Sequence, residues 1–187
     1  MSTDAHIYAH HLTPGNLLVK FNILKGIIPY RIGIGFDSHC LKKGRRLILG
    51  GIEIKFHLGL SGHSDADVLL HALIDALTGA LGMPDIGTLF PDNDPKYQNA
   101  SSEKLLKIVL DKVKQKRWQV AQIDTVIICD QPKLTDHFPS VRNHLSKKLN
   151  IPSDRIGLKA KTTEGTRIAL PEKSISALVT ALLVPQR

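Results

Sequence analysis

The 187-residue chain holds two cysteines, one tryptophan and few aromatic residues of any kind. Cys40 and Cys129 cannot make a disulfide framework, which favours a reducing compartment over secretion, and structural burial is the expected state of both thiols. No hydrophobic run approaches the ~20 residues that cross a bilayer. The N-terminal stretch lacks the apolar core and small-residue cleavage site of a signal peptide and the Arg- and Ser-rich composition of a transit peptide. Acid is also in short supply, with 17 Asp and Glu against 25 Lys and Arg, a net charge of +8. That excess suits an anionic partner. The lysines are scattered and no nucleic-acid motif is present, so a phosphate-bearing small molecule explains the charge at least as well as nucleic acid or a membrane surface.

The length allows one domain with a proper core and is too short for two catalytic domains. Residues 1–30 read as an N-terminal extension, disordered in part, with His6, His10 and His11 in a solvated tail; residues 31–187 read as a single catalytic domain. Residues 31–36 alternate isoleucine with glycine, a strand in which glycine lets something approach the backbone closely. Two short runs around Gly50-Gly51 make a hairpin over 47–54. Ser64 followed by Asp67 resembles a capping box, so a helix should begin near Asp65 and stop at Gly82 and Pro84. Further helices are expected over 102–116 and from Pro139 to before Pro152, with strands over 125–129, 156–161 and 174–184. The acidic, Gly- and Pro-rich residues 85–95 read as a loop. Strands alternating with three helices predict an α/β or α+β sandwich, a mixed sheet with the helices on one face.

The chemistry concentrates in His63-Ser64-Asp65-Ala66-Asp67-Val68-Leu69-Leu70-His71. Asp67, His71 and Asp75 recur at i, i+4 and i+8 on one helix face. A single histidine there is more often a hydrogen-bonded core residue than a ligand. A second cluster, Gly35-Phe36-Asp37-Ser38-His39 at a strand end, changes that balance, because Asp37 and His39 leave the same face of a strand and can converge on one ion. With His71 they form two imidazoles and a carboxylate, an ordinary catalytic zinc inventory with one coordination position open. Lys133, after the strand at 125–129, can meet a phosphate or nucleotide. Thr162-Thr163-Glu164 closes another strand with hydroxyls and a carboxylate, groups that bind phosphate oxygens and a hard cation such as Mg²⁺.

Five blocks, in order and spacing, resemble the 2-C-methyl-D-erythritol 2,4-cyclodiphosphate synthase family. They are Gly-x-Gly-x-Asp-x-His at Gly33 to His39, His-Ser-Asp-x-Asp-Val-x-x-His at His63 to His71, Asp-Ile-Gly-x-Leu-Phe-Pro-Asp at Asp85 to Asp92, Pro132-Lys133, and Lys-Ala-x-Thr-Thr-Glu at Lys159 to Glu164. The resemblance implies a homotrimer with active sites between subunits, and conversion of 4-diphosphocytidyl-2-C-methyl-D-erythritol 2-phosphate to the cyclic diphosphate and CMP. It implies Zn²⁺ on Asp37, His39 and His71, and Mg²⁺ or Mn²⁺ on Glu164 with the substrate diphosphate. His63 and Thr162 would be the polarising pair. Ser38, Ser64, Asp85, Ile86 and Gly87 would contact substrate, as would Phe90, Pro91, Asp92, Asn93 and Asp94. Lys133, Leu134 and Ala160 would lie on the cytidine side, with Lys161 and Thr163 near the diphosphate. The family's Gly-Arg-Gly-Glu-Gly-like segment is altered here: its aromatic position falls on Ile168 and its arginine position on Pro171. This implies changed phosphate and trimer-axis contacts with catalysis kept. Such an enzyme would work without nucleic acid or membrane partners, in a bacterial cytoplasm or, for a eukaryotic chain, a plastid. Competing readings are a zinc phosphohydrolase or phosphodiesterase, a catalytically weak cytidine-nucleotide-binding homologue and, least favoured, a basic nucleic-acid binder.

Overall fold

Two glycines on the first strand decide how the layers meet. In the computed structural model, which describes residues 30–62, 64–91, 93–94, 97, 100–165 and 174–186, β1 spans Arg31–Lys42 and α1 spans Val68–Ala80. A Cβ on Gly33 would stand 1.9 Å from the Ala76 carbonyl oxygen, and one on Gly35 would stand 2.0 Å from that of Ala72. Here α1 is the close-approaching partner that the Ile-Gly alternation predicts. Ala72, Ala76 and Ala80 supply the small face on the helix side, and all three are buried.

The helix begins at Val68, three residues later than the Ser64 to Asp67 spacing suggests. Asp67 is itself the N-cap, its carboxylate accepting from Leu70 N at 3.1 Å. Fully buried, it also accepts from Gly50 N at 2.9 Å and Gly51 N at 2.7 Å. Those amides belong to the turn between β2 (Leu47–Leu49) and β3 (Ile52–Ile54), where Gly50 and Gly51 both sit at positive φ as a tight hairpin requires. Ser64 instead accepts from Ala66 N at 3.0 Å, and Ala66 turns left-handed at φ 55° before the cap.

A two-residue strand, β4 (Gly59–Leu60), pairs with the end of β1. After α1 comes α2 (Ile86–Leu89), a single turn within the stretch expected to be loop. Next are α3 (Ser102–Gln115), β5 (Trp118–Ile128), α4 (Phe138–Leu149), β6 (Ile156–Lys161) and β7 (Ser174–Pro185). The sheet order is β4-β1-β7-β5-β6, antiparallel except for the β5 and β6 pair. β5 reaches seven residues further back than its β-branched stretch predicts, because Val120 and Ile123 continue its buried side across a bulge between Val120 and Gln122.

α1 lies on β1 and β7, α4 on β6 and β3, and α3 against α1 and β5, so the helices cover one face as expected. On the other face β1 presents Ile32 at 67%, Ile34 at 65% and Phe36 at 58% exposure, beside Leu178 of β7. Cys129 is buried, but Cys40 is exposed, contrary to the expectation for both thiols. β1 runs on to Lys42, and its alternation turns Cys40 away from the helices.

Candidate metal and phosphate site

Asp37 and His39 follow Gly33 and Gly35 on the helix side of β1, and His71 immediately precedes Ala72 in α1. The close seating of helix on strand therefore aims all three at one point. Asp37 Oδ2 is 2.9 Å from His39 Nε2 and 2.9 Å from His71 Nδ1, and the two nitrogens are 3.1 Å apart. A point about 1 Å off the plane of three atoms so spaced is about 2.0 Å from each, which is a zinc-ligand distance for nitrogen and carboxylate donors. The donor set fits that ion, and these three side chains form a potential metal-ligand cluster among the described residues.

The electrostatics are those of a compact ion site. Burial would raise the Asp37 carboxyl, yet hydrogen bonds from His39 and His71 and their charge outweigh it and hold it well below the usual carboxylate range. Burial would lower His71, but the hydrogen bond and charge of Asp37 raise it. His71 Nε2 points the other way, 2.9 Å from Ser102 Oγ and 3.2 Å from Ser64 Oγ. Ser102 in turn bonds Asp65 through both its amide and its hydroxyl. Sequence reasoning passed over Ser102 and Asp65; Asp65 lies within the key motif, and nothing local ties it to a serine 37 residues on.

Arg45 braces this loop, its Nε donating to Leu60 O at 3.1 Å and its Nη2 to Ser64 O. A cleft of about 330 Å³ opens there between Gly44, Arg45, Arg46, Ile48, Ser64 and Asp65, with the Arg45 guanidinium beside Ser64. Asp85 caps α2, accepting from Thr88 N at 2.8 Å, and Asp75 accepts from Ile86 N at 2.7 Å, which ties α2 to α1. Ile86 is half-buried and Gly87 exposed at this turn. Phe90 is buried edge-on against Tyr97 with ring centroids 5.1 Å apart; Pro91 and Asp94 are half-buried and Asn93 exposed. Ser38 lies on the other face of β1, its Oγ 2.8 Å from Ser176 Oγ, away from the cluster. His63, Asp92, Ile168 and Pro171 lie outside the described residues.

The remaining candidates gather at the ends of β5 and β6. Thr163 donates from N and from Oγ1 to Asp130, both at 2.8 Å, and the Thr162 hydroxyl donates to Glu164. Glu164 and Gly165 both take positive φ in this turn. Lys133 is exposed, 3.1 Å from Asp136, while Leu134 is buried, Ala160 half-buried and Lys161 exposed. Both groups occupy the same end of the sheet, since Ser176 pairs with Ser38 on one side and Ile128 on the other. Yet β1 and β6 are separated by β7 and β5. Three strand spacings make that about 14 Å, too far for one diphosphate to touch both groups of a single chain.

A mixed sheet with one helical face, a two-histidine, one-carboxylate cluster and a phosphate-suited turn define a metal-dependent enzyme of phosphorylated small molecules. The family model for the YgbB family matches residues 30–184. The 2-C-methyl-D-erythritol 2,4-cyclodiphosphate synthase of Synechococcus elongatus is 47% identical over 155 residues, spanning 83% of this chain and 97% of that one. The synthase of Clostridium perfringens is 47% identical over 154 residues, 82% of this chain and 99% of that one. A solved structure of such a synthase in a CDP-bound form superposes with a TM-score of 0.76 at 41% identity, covering 82% of this chain and 99% of the other. A Plasmodium falciparum enzyme in a CDP complex gives 0.73 at 32% identity, over 84% and 97% of the two chains. The chain belongs to the YgbB family and is a 2-C-methyl-D-erythritol 2,4-cyclodiphosphate synthase, a lyase of isoprenoid biosynthesis.

Proposed function

We propose that residues 31–187 form the catalytic domain and hold Zn²⁺ on Asp37, His39 and His71, with Mg²⁺ or Mn²⁺ joining Glu164 to the substrate diphosphate, in a site shared by neighbouring copies of a homotrimer. The convergence of Asp37 Oδ2, His39 Nε2 and His71 Nδ1 to within 3.1 Å of one another carries the metal assignment. Glu164 with its threonine hydroxyls suits a hard cation that takes most of its ligands from substrate phosphates and water.

The substrate is 4-diphosphocytidyl-2-C-methyl-D-erythritol 2-phosphate. An oxygen of its 2-phosphate bonds to the β-phosphorus, the bond from that phosphorus to the CMP oxygen breaks, and CMP leaves. No protein nucleophile is needed. When bound, the two cations neutralise charge on the crowded phosphoryl oxygens and polarise the reacting phosphorus. The chain's own residues fold the substrate back and hold it there, which is positioning and electrostatic work. Thr162 and His63 donate to phosphoryl oxygens as charge shifts toward CMP. Ser64, Asp85, Ile86, Gly87 and the residues from Phe90 to Asp94 hold the methylerythritol side, and Lys133, Leu134 and Ala160 hold cytidine; that relatives have been solved with CDP supports a cytidine side of the site.

Two observations support assembly. The exposed apolar row Ile32, Ile34 and Phe36 with Leu178 is the kind of patch that a partner covers. The gap of about 14 Å between the metal cluster and Glu164, three strand spacings wide, closes when β6 of one copy approaches β1 of another. No helix among the described residues is long and apolar enough to cross a membrane. By its kinship with bacterial enzymes we place the enzyme in a bacterial cytoplasm or, for a eukaryotic chain, a plastid.

Phosphorus NMR of purified protein with the cytidylyl substrate, Zn²⁺ and Mg²⁺ tests the reading. Cyclic diphosphate and CMP are expected, with cyclisation lost in Asp37→Ala. Linear phosphate products would establish the phosphohydrolase instead, and tight cytidine-nucleotide binding without turnover the binding homologue. Full activity of Asp37→Ala after chelation would overturn the zinc site.

A further inference from the structure

We propose that Asp65 and Ser102 are positioning residues for His71, forming a hydrogen-bonded relay that sets its tautomer and aims Nδ1 at the metal. The inference deepens the proposed function, since it takes His71 as a ligand.

The argument starts from the two nitrogens of one ring. His71 Nδ1 faces Asp37 and His39, at 2.9 and 3.1 Å. For its lone pair to reach a cation, the ring must be neutral and carry its proton on Nε2. Nε2 faces Ser102 Oγ at 2.9 Å. A serine hydroxyl has one proton to give, and Ser102 gives it to Asp65, whose carboxylate also accepts Ser102 N–H at 3.1 and 3.2 Å. With that proton committed, Oγ is left to accept from His71. The order is therefore forced: Nε2–H to Ser102 Oγ, then Oγ–H to Asp65.

Burial makes the arrangement consequential. Ser102 is 0% exposed, so no water can replace its hydroxyl without rearrangement. Ser64 Oγ is the rival acceptor, but it is more distant at 3.2 Å and already accepts from Ala66 N. A carboxylate reaching a ligand imidazole through an outer-shell group fixes the ring and raises its basicity, and loss of such groups commonly weakens metal binding 10–100-fold, roughly. Asp65 also clamps the first residue of α3 to the segment carrying Ser64. The same bonds thus join helix placement to ligand orientation.

The test measures Zn²⁺ affinity by chelator competition and the visible spectrum of the Co²⁺-substituted protein, alongside melting of the metal-free form. Ser102→Ala is expected to weaken Zn²⁺ binding about 10- to 100-fold and to shift the Co²⁺ bands. Asp65→Asn, which keeps an acceptor for Ser102 N–H but removes the charge, should do both to a lesser degree. Ser64→Ala should leave both nearly unchanged. Wild-type affinity and spectrum in Ser102→Ala would overturn the relay, as would an equal loss in Ser64→Ala. Should Ser102→Ala fail to fold, Asp65→Asn decides on the same readouts. His71→Ala separates the two claims: loss of Zn²⁺ binding there with none in Ser102→Ala sinks only the relay. Unchanged binding in His71→Ala sinks the ligand assignment itself.

Discussion

Gly35→Ala tests whether backbone proximity builds the metal centre. The new methyl would stand 2.0 Å from Ala72 O, 2.6 Å from Ala76 N and 2.9 Å from Asp75 Cβ. The first two are backbone atoms, so no side-chain rotation relieves the clash. Restoring an ordinary contact of about 3.4 Å requires α1 to lift by roughly 1.4 Å, and overpacking on that scale costs about 1–3 kcal/mol or more. For a chain of this size that is a fall in Tm of roughly 2–12 °C. His71 precedes Ala72, so the lift moves Nδ1 away from Asp37 and His39, and a displacement near 1 Å can cost about 100-fold in rate. Gly79→Ala is the matched control. It changes another glycine at the same interface, yet its nearest atom, Ile34 O, is 3.8 Å away. Inside a helix that exchange should stabilise by about 0.5–1 kcal/mol and leave metal binding alone. Calorimetric melting of the metal-free proteins and chelator competition for Zn²⁺ read both effects. If Gly35→Ala melts within about 1 °C of wild type and binds Zn²⁺ as tightly, the close seating is not what assembles the site.

Other outcomes follow from the same geometry. The metal-free and Zn²⁺-loaded proteins should respond oppositely to pH. Asp37 raises His71 above its ordinary 6.5 in the folded chain, so stability that is fully present below that value is lost as pH climbs through the folded one. Zinc binding needs unprotonated ligands and should strengthen across the same range. Urea midpoints at about pH 6 and about pH 8, with chelator and with Zn²⁺, check this, and parallel trends would refute it. Asp37 is held below the usual carboxylate range, so its contribution persists above about pH 4 and disappears only in stronger acid. Phe36→Asp puts a charge in the exposed apolar row and should reduce the proposed trimer of 20.6 kDa chains to smaller species by light scattering. Cys129, pushed up to about 12 by burial and by the Asp130 charge, should resist alkylation at neutral pH until the protein unfolds, as mass spectrometry of labelled protein will show.

The parts legible in the sequence were those whose signals are local and periodic. The Ile-Gly alternation, the strand over 156–161 and the Gly50-Gly51 hairpin each state a backbone requirement within a few residues, and the structure meets all three. Asp37, His39 and His71 were legible because strand and helix periodicities put each on a definite face. What stayed hidden depends on distant atoms. Asp67 looks like the acid of a capping box led by Ser64, but the amides of Gly50 and Gly51 converge on it and make it the cap instead. The pairing of Asp65 with Ser102 leaves no trace in either segment. Cys40 was expected to be buried, but the alternation of β1 turns it away from the helices, to a side that is bare in the single chain.

The Asp67, His71 and Asp75 stripe shows how an unspecific pattern gains meaning from its neighbours. The spacing of four residues puts all three on one face, and by itself it does not separate their roles. Asp67 is consumed by three backbone amides, and Asp75 is bound to Ile86 N. Only His71 is left to face the ligand atoms of β1. The two acids are structural, but each anchors a site segment: Asp67 docks the hairpin onto the start of α1, and Asp75 docks α2, which carries Asp85, Ile86 and Gly87. The helix therefore sets the spacing between the metal cluster and the proposed methylerythritol contacts. A substitution at Asp75 should disturb substrate affinity before it disturbs the metal, because the bond it breaks lies on the α2 side of the ring.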